Sequence, residues 1–306
     1  MRFSILITTF KRRNFLGECI QNCLNQTFPP SEFEIILCND FPNDFIGNLN
    51  ERIKIINHKI NIGEMPSINE MLNYAKGEYI IILADDDIMH PRCLEYLNEV
   101  INLSPSAQGY FPRYRMGETA SAWPIFSLGF RRFEPFEFFR WYIKNGMREI
   151  IGFYGAIRRD SLVSIGGIPI LSKGFSPYSD TILPLLLTEI GEVVLLDESL
   201  FFFRTHSSSV SFRSGRVMPY LVSQKSFVSR IRNIIPRDDV YLIEDLCRVF
   251  ANDLYSVCSR QNRKVLRVSF YLFSIIYHVF FMKGLFKLPV ARMLFARIAS
   301  KTNLQV

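Results

Sequence analysis

The chain has 306 residues, 48% of them hydrophobic and 14% aromatic, with a net charge of +7. That length can bury a full core and suits one large domain with an appendage, or two domains. Its six cysteines, at 19, 23, 38, 93, 247 and 258, form no CxxC pair and no His/Cys cluster of zinc spacing, which argues against a zinc module and for reduced thiols. The first residues run straight into an apolar strand with no secretory pattern, so the expected location is cytoplasmic.

Residues 3–8 are an apolar run of strand type, and residues 12–26 place Phe15, Leu16, Cys19, Ile20, Cys23 and Leu24 on one helical face. After Pro29-Pro30, residues 33–38 read as a second buried strand ending at Asn39-Asp40, and 53–57 as a third. A helix over 66–75 is expected to stop at Gly77 as its C-cap, followed by a strand over 80–83 and a helix over 91–102. Alternating strands and helices with near-continuous apolar strands predict a Rossmann-like, mostly parallel sheet flanked by helices. In such sheets ligands bind beyond the carboxyl ends of the strands. Thr8-Thr9, Asn39-Asp40 and Asp85-Asp86-Asp87 stand at three such ends, which points to one site.

The aromatic- and arginine-rich stretch 109–148 suits core or lid packing, or an acceptor cleft. Residues 152–167 read as a strand, Arg158-Arg159, a helix and a Gly-Gly turn. Asp180 opens an apolar helix over 182–190, and 193–196 is a strand.

Three adjacent carboxylates at the end of a buried strand repel one another and lose hydration unless something positive holds them. A hard divalent cation, Mg²⁺ or Mn²⁺, takes oxygen ligands and often carries substrate phosphates. The same run also suits an acidic turn before the helix that Pro91 starts.

The ordered set from Ser4-Ile5-Leu6-Ile7-Thr8-Thr9-Phe10-Lys11-Arg12 through Gln26-Thr27-Phe28, Cys38-Asn39-Asp40 and Asn61-Ile62-Gly63 to Leu83-Ala84-Asp85-Asp86-Asp87 resembles a family 2 glycosyltransferase of the GT-A fold. Arg158-Arg159, Gly166-Gly167, Ser179-Asp180 and Arg204-Thr205-His206 continue it to about residue 213. The resemblance implies an inverting bacterial surface-polysaccharide enzyme of O-antigen or capsule type. Its catalytic domain would be 1–213, with a nucleotide half over about 1–105 and an acceptor half over 106–213. It implies that Thr8, Thr9, Asp40, Asn61, Asp85 and Asp86 contact a nucleotide-sugar, UDP-linked in the first instance, that Asp86 and His206 hold Mn²⁺ or Mg²⁺, and that Asp180 is the base. Ala84 stands where many members have a first Asp, and Ser179 where the usual Glu precedes the base.

The residue types suit that chemistry on their own. A departing diphosphate needs a charge clamp, and an attacking hydroxyl needs a positioned carboxylate. Asp180 also suits an N-cap, and His206 a structural histidine. Arg158 and Arg204 are candidate phosphate or acceptor contacts. A sugar-nucleotide nucleotidyltransferase would show a Gly-rich phosphate loop after the first strand, where this chain has Thr8-Thr9-Phe10-Lys11-Arg12. A non-catalytic binding subunit would not need both Asp86 and Asp180.

From Ser214 onward, fifteen Lys/Arg face five Asp/Glu, and none of the acids follows Asp253. Residues 268–282 carry no Asp, Glu, Lys or Arg, a run shorter than the roughly 20 residues that span a bilayer. A helical region over 214–306 is expected, either lying at an anionic membrane interface and bringing the site to a lipid-linked glycan, or packed on the catalytic domain. The expected place is the inner face of the cytoplasmic membrane, with no nucleic-acid partner.

Overall fold

The structure, a computed structural model, describes residues 1–259 apart from 12, 121–122, 124–128, 208, 210–216, 233 and 235–238. Strands β1 (Phe3–Thr9), β2 (Phe33–Asn39), β3 (Ile53–Asn57) and β4 (Tyr79–Ala84) form a parallel block in the order β3-β2-β1-β4. Register places Thr8 between Cys38 and Ala84, and Thr9 beside Asn39, so the three polar strand ends lie in one row. The inner strands are buried on both faces, as parallel strands between helices require. Helices α1 (Arg13–Leu24) and α3 (Cys93–Leu103) cover one face with Leu16, Cys19, Ile20, Leu94 and Leu97. Helix α2 (Glu64–Leu72) covers the other with Met65, Ile68 and Met71.

Gly77 is not the C-cap of α2, which ends at Leu72 with Asn73 as its cap. A Cβ on Gly77 would stand 2.4 Å from the Ser4 nitrogen, so the residue is glycine because the chain grazes β1 there. Its N–H donates to Ser4 Oγ at 2.8 Å.

Beyond β4 the sheet continues as β8 (Ala156–Arg158), β6 (Gly109–Gly117), β9 (Val193–Arg204) and β5 (Ile88–Met89), with β7 (Phe130–Phe133) also on β9. Here β8, β5 and β7 run antiparallel to their neighbours, and β6 pairs β9 in parallel. The strand expected over 193–196 runs on to Arg204, past Asp197 and Glu198, which interrupt its apolar pattern. Helices α4 (Pro135–Lys144), α5 (Arg159–Ser164) and α6 (Ser179–Leu187) fill the second half. Of the aromatic stretch, Phe111, Phe133, Phe138, Phe139 and Tyr142 are fully buried and belong to the core.

The C-terminal helices α7 (Val217–Ile231) and α8 (Val240–Ser259) pack on that same core through Phe227, Ile231, Leu246 and Phe250. Ion pairs Arg140–Asp239 (2.9 Å) and Arg148–Asp253 (2.6 Å) tie α8 and the turn before it to the α4 region. No helix among the described residues is long and apolar enough to cross a membrane. The basic, aromatic run from 260 to 306, including the uncharged 268–282, lies outside the described residues.

Candidate active site

The row of strand ends is built from interlocking polar contacts. Thr9 Oγ1 donates to Asp85 Oδ2 at 2.6 Å, joining β1 to the acidic turn. Thr8, beside it, is half-buried. Asp40 accepts the Ile62 and Gly63 N–H groups at 2.8 and 2.7 Å and meets His58 Nδ1 at 2.8 Å. Its carboxylate therefore shapes the 61–63 loop, on which Asn61 is exposed. His58 Nε2 in turn lies 3.0 Å from Glu70 of α2.

The turn itself is clamped from α1. Asn22 offers its side-chain amide to both backbone groups of Met89, at 2.8 and 2.9 Å, as a paired strand would. Gln26 bridges the His90 carbonyl and the Leu94 N–H. All three carboxylates of the turn are buried, and each has a different partner. Asp85 takes Thr9. Asp86 Oδ2 lies 2.9 Å from His206 Nε2, across 120 residues of chain. Asp87 accepts the Arg204 N–H at 2.8 Å and the Tyr154 hydroxyl. Burial first, then the neighbouring Asp86 charge, push the Asp87 carboxyl up to about 8. His206 is held against Asp86 by the Phe15 ring, 4.6 Å away.

Asp180 is the second residue of α6, whose N-cap is Tyr178 in the left-handed region at φ 70°. The N-cap reading of Asp180 is thus replaced: its carboxylate lies within the first turn and takes the Thr181 hydroxyl at 3.3 Å. Burial raises its pKa above the usual carboxylate value. The Asp180 charge reaches Tyr114 of β6, Tyr142 of α4 and Tyr154, where it adds to burial in raising their hydroxyl pKa values. Gly152 makes the approach possible, since a Cβ there would stand 2.0 Å from the Asp180 carbonyl oxygen. Tyr178 is fixed by Gln224 of α7, which donates to its hydroxyl at 2.9 Å, and by the rings of Phe227 and Phe250. The C-terminal helices therefore brace the start of α6.

Of the two candidate phosphate or acceptor arginines, one lies away from this row. Arg158 pairs in register with Tyr79, at the amino end of β4, because β8 runs antiparallel to it. There it binds Glu78, the Tyr79 hydroxyl and the Pro105 carbonyl. This removes it from the row of carboxyl ends. Arg204 is near the acidic turn, but its guanidinium pairs with Glu18 at 2.7 Å and lies over the Phe15 ring. The roles of Asp87, Tyr154 and Phe15 depend on contacts across the chain; only the carboxylate of Asp87 gave a sequence signal.

The pair Asp86–His206 suits a divalent ion. The two side chains, hydrogen-bonded at 2.9 Å, offer one carboxylate oxygen and one imidazole nitrogen, donors that a transition-metal dication such as Mn²⁺ accepts. Among the described residues no group of three or more His, Cys, Asp or Glu converges on a metal position. The remaining positions would fall to phosphate oxygens and water, the usual arrangement for Mg²⁺ on a nucleotide.

A parallel nucleotide-type block, a mixed second half and an acidic turn between them define the GT-A class of sugar-nucleotide folds. The S. aureus TarS 1–349 structure in complex with UDP-GlcNAc matches with a TM-score of 0.65 at 16% identity, over 99% of this chain and 89% of that one. The family described as Glycosyl transferase family 2 matches residues 4–166, and the chain belongs to it. An uncharacterized glycosyltransferase of Haemophilus influenzae is 32% identical over 99 residues, 30% of each chain. Poly(ribitol-phosphate) beta-N-acetylglucosaminyltransferase TarP of Staphylococcus aureus is 31% identical over 104 residues, 31% of this chain and 32% of TarP. The matched segments thus span about a third of those relatives. Members of this family with this fold typically use a divalent metal.

Proposed function

We propose that the chain is an inverting, metal-dependent glycosyltransferase that moves a sugar from a nucleotide-sugar to a lipid-linked or polymeric glycan in bacterial surface-polysaccharide synthesis. The observation that carries this reading is the meeting of Asp86 and His206 at 2.9 Å, beyond the ends of the parallel strands. Relatives named for transfer to poly(ribitol-phosphate) support a polymeric acceptor, and the TarS complex with UDP-GlcNAc supports a UDP-sugar donor.

Thr8, Thr9 and the 61–63 loop border the place for the nucleoside, with Asp40 and Asp85 holding that border in shape. Asp86 and His206 hold Mn²⁺ or Mg²⁺, which when bound neutralises the diphosphate and aids its departure. Asp180 accepts the proton of the acceptor hydroxyl as that oxygen attacks the anomeric carbon. Burial raises its pKa above the ordinary aspartate value, which strengthens the carboxylate form as a base. Single displacement from the face opposite the diphosphate inverts the anomeric centre. Residues 260–306, with nine Lys/Arg and no acid, dock the enzyme on the anionic inner face of the cytoplasmic membrane.

A thermal-shift screen of UDP-, GDP-, dTDP- and CMP-sugars with and without Mn²⁺ tests the donor class. A ligand that binds the native state raises the melting midpoint by mass action, and UDP-GlcNAc with Mn²⁺ is expected to give the largest rise. No shift with any nucleotide-sugar would remove the reading.

A further inference from the structure

We propose that Tyr154 and Asp87 form a strut that sets His206 against Asp86, which makes Tyr154 a positioning residue for the metal; the proposal rests on the reading of Asp86 and His206 as its ligands. Three separate chain segments meet at the Asp87 carboxylate. It belongs to the acidic turn, it takes the Tyr154 hydroxyl from the loop before β8, and it takes the Arg204 N–H from the end of β9. His206 lies two residues beyond that N–H. Tyr154 also meets β9 directly, stacking on Phe201 at 4.8 Å with the rings nearly parallel. Its loop is fixed from both sides: the Phe153 carbonyl accepts the Ile82 N–H of β4, and Gly152 lies against the first turn of α6. A tyrosine at this position thus ties the end of β9 to the turn that carries Asp86. Residues behind metal ligands that orient them change metal affinity about 10–100-fold when removed.

Tyr154→Phe keeps the ring stack and removes only the hydroxyl. The test is calorimetric titration of the full chain with UDP, and in parallel arms GDP, CDP and ADP, each with and without Mn²⁺. In the wild type, Mn²⁺ should tighten binding of at least one diphosphate. Tyr154→Phe should lower that Mn²⁺-dependent gain about tenfold or more and leave the metal-free affinity unchanged. A purely structural tyrosine would lower the melting midpoint and keep the gain, which would overturn the strut alone. A wild type with no gain for any diphosphate would overturn the metal reading and the strut with it. If Tyr154→Phe does not fold, the double variant with Asp87→Asn removes the buried carboxyl that lost its partner. Compared with Asp87→Asn alone, it should show the same tenfold loss; an equal gain in both would overturn the strut.

Discussion

Asp86 and Asp180 carry the same carboxylate in opposite settings. Asp86 sits between two other buried acids and is met by His206 from a distant strand. Asp180 stands apart from the trio in sequence, in the first turn of a helix and within electrostatic reach of Tyr114 and Tyr154. Crowding like charges creates a demand for a cation, whereas enclosing a single acid raises its pKa and leaves it able to take a proton. Under the proposed function, the two settings divide the work of a transfer reaction between holding the leaving group and activating the nucleophile.

The sharpest way to break this division is to neutralise one carboxylate at a time. Asp180→Asn should lower kcat by about 10²–10⁴-fold, the usual contribution of a positioned base, with donor affinity within about twofold of wild type. Steady-state transfer and donor titration on the same preparation check both halves. Retained kcat would take Asp180 out of the mechanism. Asp86→Ala should instead remove the Mn²⁺-dependent part of nucleotide binding, a loss of about 10–100-fold. His206→Ala should act in the same direction by less, because one carboxylate remains to the ion.

How far this division could be read in advance depends on how local each signal is. The acidic trio was legible because a run of Ile80, Ile81, Ile82 and Leu83 and the carboxylates after it are contiguous, and parallel topology places strand ends together. Asp180 was legible as a helix start, but the tyrosines that feel its charge were not, since Tyr114, Tyr142 and Tyr154 come from three separate segments. Gly77 looked like a helix cap, and only the three-dimensional approach to Ser4 explains it. The strand β9 was read short because Asp197 and Glu198 break its apolar run, although backbone pairing with β6 continues past them.

The pH profile sharpens the comparison from the side of Asp180. Its pKa is raised in the folded chain, chiefly by burial, and a base works only when deprotonated. Activity should therefore fall on the acid side with a midpoint above the ordinary aspartate value of about 3.9, read from kcat against pH at saturating donor. The same sign governs the metal-free stability near Asp87. With a folded pKa of about 8, its contribution is fully present below the unfolded value of about 4 and is lost as pH rises through 8. Asp87→Asn should accordingly raise the melting midpoint of the metal-free protein at pH 8 more than at pH 5.

The C-terminal region invites a cut, and the structure says where. Removing everything after 213 would strip Phe227, Val228, Ile231, Leu242, Ile243, Leu246 and Phe250 from the shared core. Each such side chain is worth about 1.5–3 kcal/mol, together comparable to the whole stability of a domain, about 5–15 kcal/mol. A cut after 259 leaves that brace on Tyr178 intact. The shortened chain should keep transfer to a soluble acceptor within a few-fold and lose co-sedimentation with anionic vesicles. Unchanged sedimentation would end the docking proposal for 260–306.

The smallest expected effect belongs to Arg158, and it tests whether the two sites exhaust the chemistry. Arg158 is paired with Tyr79 at the start of β4. Six residues at about 3.3 Å each put it about 20 Å from Asp85 along the strand. Its guanidinium binds Glu78 at 3.3 Å, the Tyr79 hydroxyl at 2.9 Å and the Pro105 carbonyl at 2.6 Å. The ion pair with Glu78 is partly exposed and worth about 0–1 kcal/mol, and the two hydrogen bonds add about 1 kcal/mol each. Arg158→Ala should therefore lower the melting midpoint by a few degrees and leave donor affinity and kcat unchanged. A tenfold loss of donor affinity without loss of stability would require Arg158 to reach the diphosphate, which the antiparallel course of β8 forbids.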